Sequence, residues 1–374
     1  MRFFELVKYT PTLSLSGIDT EVSRLLLDSR EARYGDILFC LAGKRLDRHD
    51  FAIEAYGNGC RAFVAEKRLS LPPDAAVATV PNARIALAEL SSHLSGAPTE
   101  ALFSIAVTGG KEKSRVAWLL TSALEGLGVH VGYIGAFGAY SNGKFVTTSL
   151  VTPESPELHG LLREMRVAGV THTVIEVSAP SLAAERVYGI HFPLCVLTGH
   201  DGGEVLEKSG TAPQKYLSLE KAFFRNHHIK TVVYPQEDSI AELLLSDAGA
   251  RLVSVGNSLD CSVCAHAVEP YCENQRRRIR FHAVADGEVT RISLPASSDS
   301  AVREALLTVA AVKALNGLCR LPYASLSDIG KAVENADFPK KRQCLSPFLH
   351  GKNEEKSGRK HKIPLASKKK QKTF

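Results

Sequence analysis

Short apolar runs alternate with segments of helical period along most of the chain. Ile37-Leu38-Phe39-Cys40-Leu41 and Arg61-Ala62-Phe63-Val64-Ala65 have strand length, and a helix begins between them at Phe51-Ala52-Ile53-Glu54-Ala55-Tyr56. Residues 83–94 carry Ala and Leu at helical spacing, and the breaker cluster Ser95-Gly96-Ala97-Pro98-Thr99 after them predicts a domain boundary. A second α/β unit then opens with the strand Phe103-Ser104-Ile105-Ala106-Val107, the turn Thr108-Gly109-Gly110 and a helix over about 114–127. Further strands are expected at 129–133, 173–177, 194–197 and 229–234, separated by helical patterns such as 157–168. Such alternation predicts a mostly parallel sheet with helices on both faces. Over 251–294 the period shortens toward two, which predicts antiparallel strands, and 301–315 reads as an amphipathic helix.

The fold class is therefore α/β. A small N-terminal α/β domain (1–98) precedes a mostly parallel-sheet, P-loop-type central domain with added antiparallel strands (99–339). Residues 340–374 read as a basic, disordered tail, because periodic apolar segments stop after Asp337-Phe338-Pro339 and lysine-rich low-complexity sequence follows.

Composition changes this picture little. The 374 residues are 44% hydrophobic and 23% charged, an ordinary globular mixture. No long apolar run or signal-like start is present, which points to the cytoplasm. Eight scattered cysteines argue against a secreted disulfide framework. The formal charge of +6 is misleading, since residues 340–374 hold 12 Lys or Arg against two Glu and leave residues 1–339 at −4. A polyanion-binding body is not indicated, and nucleic acid is expected to touch at most the tail, weakly.

Candidate chemistry centres on Val107-Thr108-Gly109-Gly110-Lys111-Glu112-Lys113-Ser114. Phosphate loops use glycines to turn backbone N–H groups toward the phosphates, a lysine for the terminal phosphates and a hydroxyl for magnesium. Gly109, Gly110, Lys113 and Ser114 supply those types, with Lys111 and Arg115 as flanking cations. Glu112 stands where a glycine normally precedes the lysine, and a carboxylate ~5 Å from a phosphate charge would cost about 3 kcal/mol at an effective dielectric near 20. Cys261, Cys264 and Cys272 have zinc-like but irregular spacing and read as ordinary core cysteines. His49 and His227-His228 have no partner at diagnostic spacing. Asp28-Ser29-Arg30, Gly35-Asp36 and Leu41-Ala42-Gly43 with Asp47 frame one strand with polar groups, a plausible place for a small-molecule site.

The run from Leu27 through Gly43, continuing through Asp47, Phe51, Ala55, Gly59 and Ala62, resembles the UDP-binding domain of the Mur ligases, MurE type. That family adds the third amino acid of the peptidoglycan stem, lysine or diaminopimelate, to UDP-N-acetylmuramoyl-L-alanyl-D-glutamate. Thr152-Pro153-Glu154, Glu176-Val177-Ser178 and Arg186 are similar to its central domain, so the resemblance covers about 15–339. It implies substrate contacts at Leu27, Ser29, Lys44, Arg45, Leu46, Thr152, Ser178 and Arg186, and nucleotide contacts at Gly109, Gly110, Lys111, Lys113, Ser114 and Arg115. It also implies metal ligands at Ser114, Glu176 and His200, and catalytic roles for Lys113, Glu176 and either Glu220 or Lys221, the positions that match a lysine the family carbamylates. A glutamate at 220 would replace the carbamate's charge. The implied reaction passes through an acyl phosphate made from ATP with Mg2+, in which positioning and charge neutralisation carry the catalysis.

Departures concentrate in the ATP and magnesium machinery. Glu112 replaces the last loop glycine, Pro180 replaces a histidine, and Val205 stands where another histidine is expected unless His200 takes its place. Beyond Pro339 the family's third domain, which binds the incoming amino acid, gives way to the lysine-rich stretch, as in a truncation or an out-of-frame reading. The resemblance implies an ATP-dependent amide ligase. The asymmetry between an intact UDP frame and an altered loop favours a protein that binds the UDP-muramoyl dipeptide without turnover, and a decayed product with no stable role is the third alternative.

Overall fold

The computed structural model describes residues 1–43, 47–200, 213–295, 300–318 and 324–339. The tail 340–374 lies outside them. Two β-sheets organise the described residues. The first holds β1 (Ser14–Ser16), β2 (Arg24–Leu26), β3 (Asp36–Cys40), β4 (Ala62–Ala65) and β5 (Ala76–Thr79) in the order β1-β5-β4-β3-β2, parallel except for β1. β3 and β4 are buried at every position, which explains their unbroken apolar runs. Successive residues serve opposite faces: Ile37 and Phe39 join Phe3, Leu6 and Leu87, while Leu38 and Cys40 join Ala55 and Phe63. Helices α1 (Phe3–Leu6) and α3 (Ala83–Leu94) cover the first face, and α2 (Ala52–Gly57) the second. Asn82 starts α3 by accepting the backbone N–H groups of Arg84 at 2.9 Å and Ile85 at 3.1 Å.

The second sheet contains eleven strands. They are β6 (Phe103–Thr108), β7 (Val131–Gly135), β8 (Gly138–Ser141), β9 (Lys144–Val146), β10 (His172–Glu176), β11 (Leu194–Leu197), β12 (Thr231–Pro235), β13 (Arg251–Gly256), β14 (Val263–Glu273), β15 (Arg276–Ala285) and β16 (Glu288–Pro295). Their order is β16-β15-β14-β13-β12-β11-β6-β10-β7-β8-β9, with a parallel centre and antiparallel ribbons at both edges. The β15–β16 turn uses Asp286 and Gly287, both at positive φ, as tight hairpins require.

One face of this sheet carries α4 (Lys113–Gly126), α9 (Ala301–Leu318) and α10 (Leu326–Glu334). The other carries α5 (Ser155–Val167), α7 (Pro213–Asn226) and α8 (Ser239–Leu245), and the short α6 (Ala179–Ala183) follows β10. α3 of the first unit packs against α5 of the second.

Three expectations change. The helix over 301–315 is not amphipathic: from Glu304 to Val312 every residue is buried, because the helix packs on the sheet and against both α4 and α10. Residues 251–256 pair in parallel with β12, so the antiparallel region begins only after 263. The strand expected at 129–133 is shifted to Val131–Gly135.

Candidate active site

β6 delivers the chain to the sheet's carboxyl edge, where 109–112 turn it into α4. Gly109 has φ 106°, and a Cβ there would lie 2.9 Å from the backbone N of Thr198, so the close approach of β11's end requires glycine. The Gly110 N–H donates to Gly199 O. Lys113 turns back over the loop, and its ammonium donates to the carbonyl oxygens of Gly109 and, at 2.7 Å, Gly110. Its burial pulls the lysine pKa down, against the attraction of Glu176 and Glu220.

Ser114 Oγ donates to Glu176 Oε2 at 2.8 Å. The other oxygen of Glu176, Oε1, accepts from Tyr133 Oη and from the Ala136 N–H at 2.9 Å. Burial pushes the Glu176 carboxyl up while these three donors pull it down. Gly135 matters here, because a Cβ at that position would fall 2.1 Å from Glu176 Oε1.

Glu112 does not face the cradle. Its carboxylate accepts two hydrogen bonds from Arg303, through Nε at 3.0 Å and through Nη2. Arg115 Nε likewise lies 2.8 Å from both oxygens of Glu304, under the Phe338 ring. Two crossed ion pairs thus tie the start of α4 to the start of α9.

A second cluster sits beneath the loop. His200 is fully buried with Nε2 2.7 Å from Glu220 Oε2 and Nδ1 3.0 Å from Asp238 Oδ2. The opposite Glu220 oxygen accepts from Thr108 Oγ1 at 3.0 Å and from Tyr216 Oη at 3.1 Å. Burial opposes charge on the imidazole, but hydrogen bonds and attraction from Asp238 and Glu220 outweigh it and lift its pKa to about 9. An imidazolium between two carboxylates results. Both ring nitrogens are engaged by carboxylates, so His200 would serve as a metal ligand only by giving one of them up.

The N-terminal frame lines a separate cleft of about 370 Å³ with Leu27, Asp28, Ser29, Arg30, Arg48 and Glu54. Ser29 Oγ donates to Glu54 Oε2 at 2.9 Å, and Arg48 Nη1 to Leu27 O at 2.8 Å. Lys44, Arg45 and Leu46 lie outside the described residues, as does Val205.

Residues 107–312, more than half of the chain, match the Mur ligase middle domain. The chain belongs to the Mur ligase family. The UDP-N-acetylmuramoyl-L-alanyl-D-glutamate–2,6-diaminopimelate ligase of Clostridium botulinum is 28% identical over 326 residues, covering 84% of this chain and 63% of that protein. A solved structure of a ligase with the same name superimposes with a TM-score of 0.71 at 17% identity, covering 86% of this chain and 64% of that one. The Thermotoga maritima MurF ligase in complex with ADP gives 0.55 at 18% identity, covering 86% and 67%. The chain spans less than two thirds of the length of the curated relatives it matches.

The loop, Glu176 and β11's end meet at one sheet edge. The muramoyl-peptide candidates meet beside them. Thr152 Oγ1 donates to Glu176 O at 2.7 Å and lies 3.2 Å from Ser178 Oγ, while Arg186 Nη2 reaches Glu154 Oε1 at 2.9 Å. Arg84 of α3 binds the other Glu154 oxygen at 3.2 Å, so this ion-pair triad joins the two sheets' units. Lys221 points away from the site to Asp247, at 2.7 Å, whereas its neighbour Glu220 points in. Lys111 is exposed, and Arg115 is turned to Glu304 rather than to the cradle. Cys261 and Cys264 are buried in the sheet edge and Cys272 is exposed. Sequence reasoning misses Tyr133, Tyr216, Asp238 and Arg303. Only Tyr216, one helical turn before Glu220, carries a local signal.

Proposed function

We propose that the chain carries the UDP-muramoyl-dipeptide and ATP sites of a MurE-type ligase. It would add lysine or diaminopimelate to UDP-N-acetylmuramoyl-L-alanyl-D-glutamate in peptidoglycan precursor synthesis. The observation that carries this reading is the contact of Ser114 with the buried Glu176 beside Lys113, at the mouth of a glycine turn between β6 and α4. An ammonium, a hydroxyl and a carboxylate at a helix N-terminus suit a magnesium nucleotide. Ser114 and Glu176 would hold Mg2+, which supplies neutralisation of phosphate charge when bound; Ser114 must then release its hydrogen bond to Glu176. Lys113 would leave the loop carbonyls for a phosphate oxygen. Thr152, Ser178 and Arg186 would orient the dipeptide carboxylate toward the transferred phosphoryl group, so that attack by the incoming amine on the acyl phosphate forms the amide and expels phosphate.

The N-terminal cleft with Ser29, Arg30 and Arg48 would take the uridine diphosphate, and residues 1–98 and 99–339 would act as the UDP-binding and ATP-binding domains. Binding of the nucleotide sugar without turnover is the second reading. It draws support from the Gly109 and Gly110 carbonyls, which face Lys113 where a phosphate loop presents N–H groups.

Phosphate release by the purified chain tests the first reading, with ATP, Mg2+, UDP-N-acetylmuramoyl-L-alanyl-D-glutamate and either amino acid. Release that requires the nucleotide sugar and an amino acid is expected. No release, together with a melting temperature still raised by the nucleotide sugar, would leave the second reading.

A further inference from the structure

Glu112 is the residue of the loop that chemistry least expects. A carboxylate at the head of α4 adds negative charge where a helix N-terminus and a lysine otherwise gather positive charge. The structure shows where that charge goes. Glu112 is buried, and its two oxygens are taken in a fork by Arg303 of α9, whose side chain is 37% exposed. The backbone of Glu112 meanwhile remains part of the helix start, accepting the Val116 N–H at 2.9 Å. The same pair lines an open cleft of about 490 Å³ next to the loop, with Pro235, Glu237, Val255 and Asn257 on its other walls. Glu112 can therefore swing only as far as Arg303 permits.

We propose that Arg303 is a positioning residue of the nucleotide loop: it draws the Glu112 carboxylate out of the phosphate cradle and cancels its charge, doing with an ion pair what a glycine does by having no side chain. Arg303 itself touches no phosphate. This rests on the reading of 109–114 as the ATP loop. The bidentate fork matters as much as the charge, since two parallel N–H···O bonds fix the direction of the carboxylate.

The consequence is a suppressor relation between positions far apart in the chain. Without Arg303, Glu112 is an uncompensated carboxylate beside the triphosphate. Without Glu112, Arg303 has nothing to position. Titration calorimetry with MgATP on the full chain, for the wild type, Arg303→Ala, Arg303→Lys, Glu112→Gly and the double variant Glu112→Gly/Arg303→Ala, tests it. Melting curves verify that each variant folds.

Arg303→Ala is expected to weaken MgATP binding by at least about tenfold, since one partner of a partly buried pair is left alone. Arg303→Lys, which keeps the charge but not the fork, should fall between. The double variant is expected to bind as Glu112→Gly does, within about threefold, because distant groups couple only through the removed pair. Unchanged affinity in Arg303→Ala, or a double variant no better than Arg303→Ala, would overturn the proposal and leave the pair as a structural clasp. Binding by Glu112→Gly and by the double variant but not by the wild type would also overturn it, by showing that Arg303 does not clear the cradle. Failure of every protein to bind MgATP would instead sink the nucleotide reading, and the proposal with it.

Discussion

The N-terminal cleft and the central loop are built on opposite electrostatic plans. Around the cleft, Arg30 and Arg48 stay at the surface, and Ser29, Glu54 and Asp28 make short-range contacts that a ligand could exchange. Around the loop, charge is matched internally: Lys113 lies on two carbonyls, Glu112 on Arg303, Arg115 on Glu304, and His200 between Glu220 and Asp238. A ligand entering the first region exchanges exposed, local contacts, Arg30 with Asp28 and Arg48 with Leu27 O, at little cost. One entering the second must exchange buried partners, so its affinity measures the difference between two sets of bonds rather than the strength of one.

The sharpest way to break this contrast is Glu220→Ala. It leaves a buried imidazolium with one carboxylate, strands Thr108 Oγ1 and leaves Tyr216 Oη only its longer contact with Gly109 O, so a loss of about 3–5 kcal/mol is expected in urea denaturation. A loss below about 1 kcal/mol would mean that the network is not formed in solution.

His159 sharpens the contrast from the other side, as a buried polar group whose two ring nitrogens have no hydrogen-bond partner among the described residues. Its burial lowers its pKa to about 4. The unfolded chain, with a histidine near 6.5, then binds the proton more readily, so the folded state is favoured above pH 6.5 and loses this advantage as pH falls toward 4. An acid-side loss of up to about 3 kcal/mol is expected. His159→Leu should flatten that limb of the stability–pH curve, and an unchanged limb would assign it elsewhere.

The smallest effect belongs to Lys221→Ala. Its pair with Asp247 is solvent-exposed, so stability should move by less than about 0.5 kcal/mol and nucleotide-sugar binding not at all. A large effect on either would contradict the outward orientation of Lys221.

These two regions also differ in how far they can be read from sequence. The N-terminal frame is nearly contiguous: residues 27–54 contain Leu27, Ser29 and β3, and the strand's two-sided burial shows directly as an unbroken apolar run. The central loop announces its glycines, Lys113 and Ser114 by local spacing, but their charge partners come from β10, α7, α8 and α9. Glu112 therefore appears in sequence as an obstruction and in the fold as half of an ion pair. The choice between Glu220 and Lys221 is likewise a matter of helical phase, decided by which side of α7 faces β6. The short strands β1, β2, β5, β8 and β9 are three or four residues long, too short to show a period, and β1 is exposed throughout. The burial of α9 from Glu304 to Val312 is hidden in the sequence because its polar positions, Glu304 and Thr308, are satisfied inside.

The pairing of Glu112 with Arg303 spans 191 residues. On a ribosome adding roughly 5–20 residues per second, the loop exists for about ten seconds or longer before its counter-charge is synthesised. On the proposed reading of 109–114, a nascent chain that already has β6 and α4 would carry a bare acid at that loop and would repel nucleotide until α9 arrives. Competence for ATP would then appear late and all at once, coupled to completion of the sheet rather than to synthesis of the loop itself.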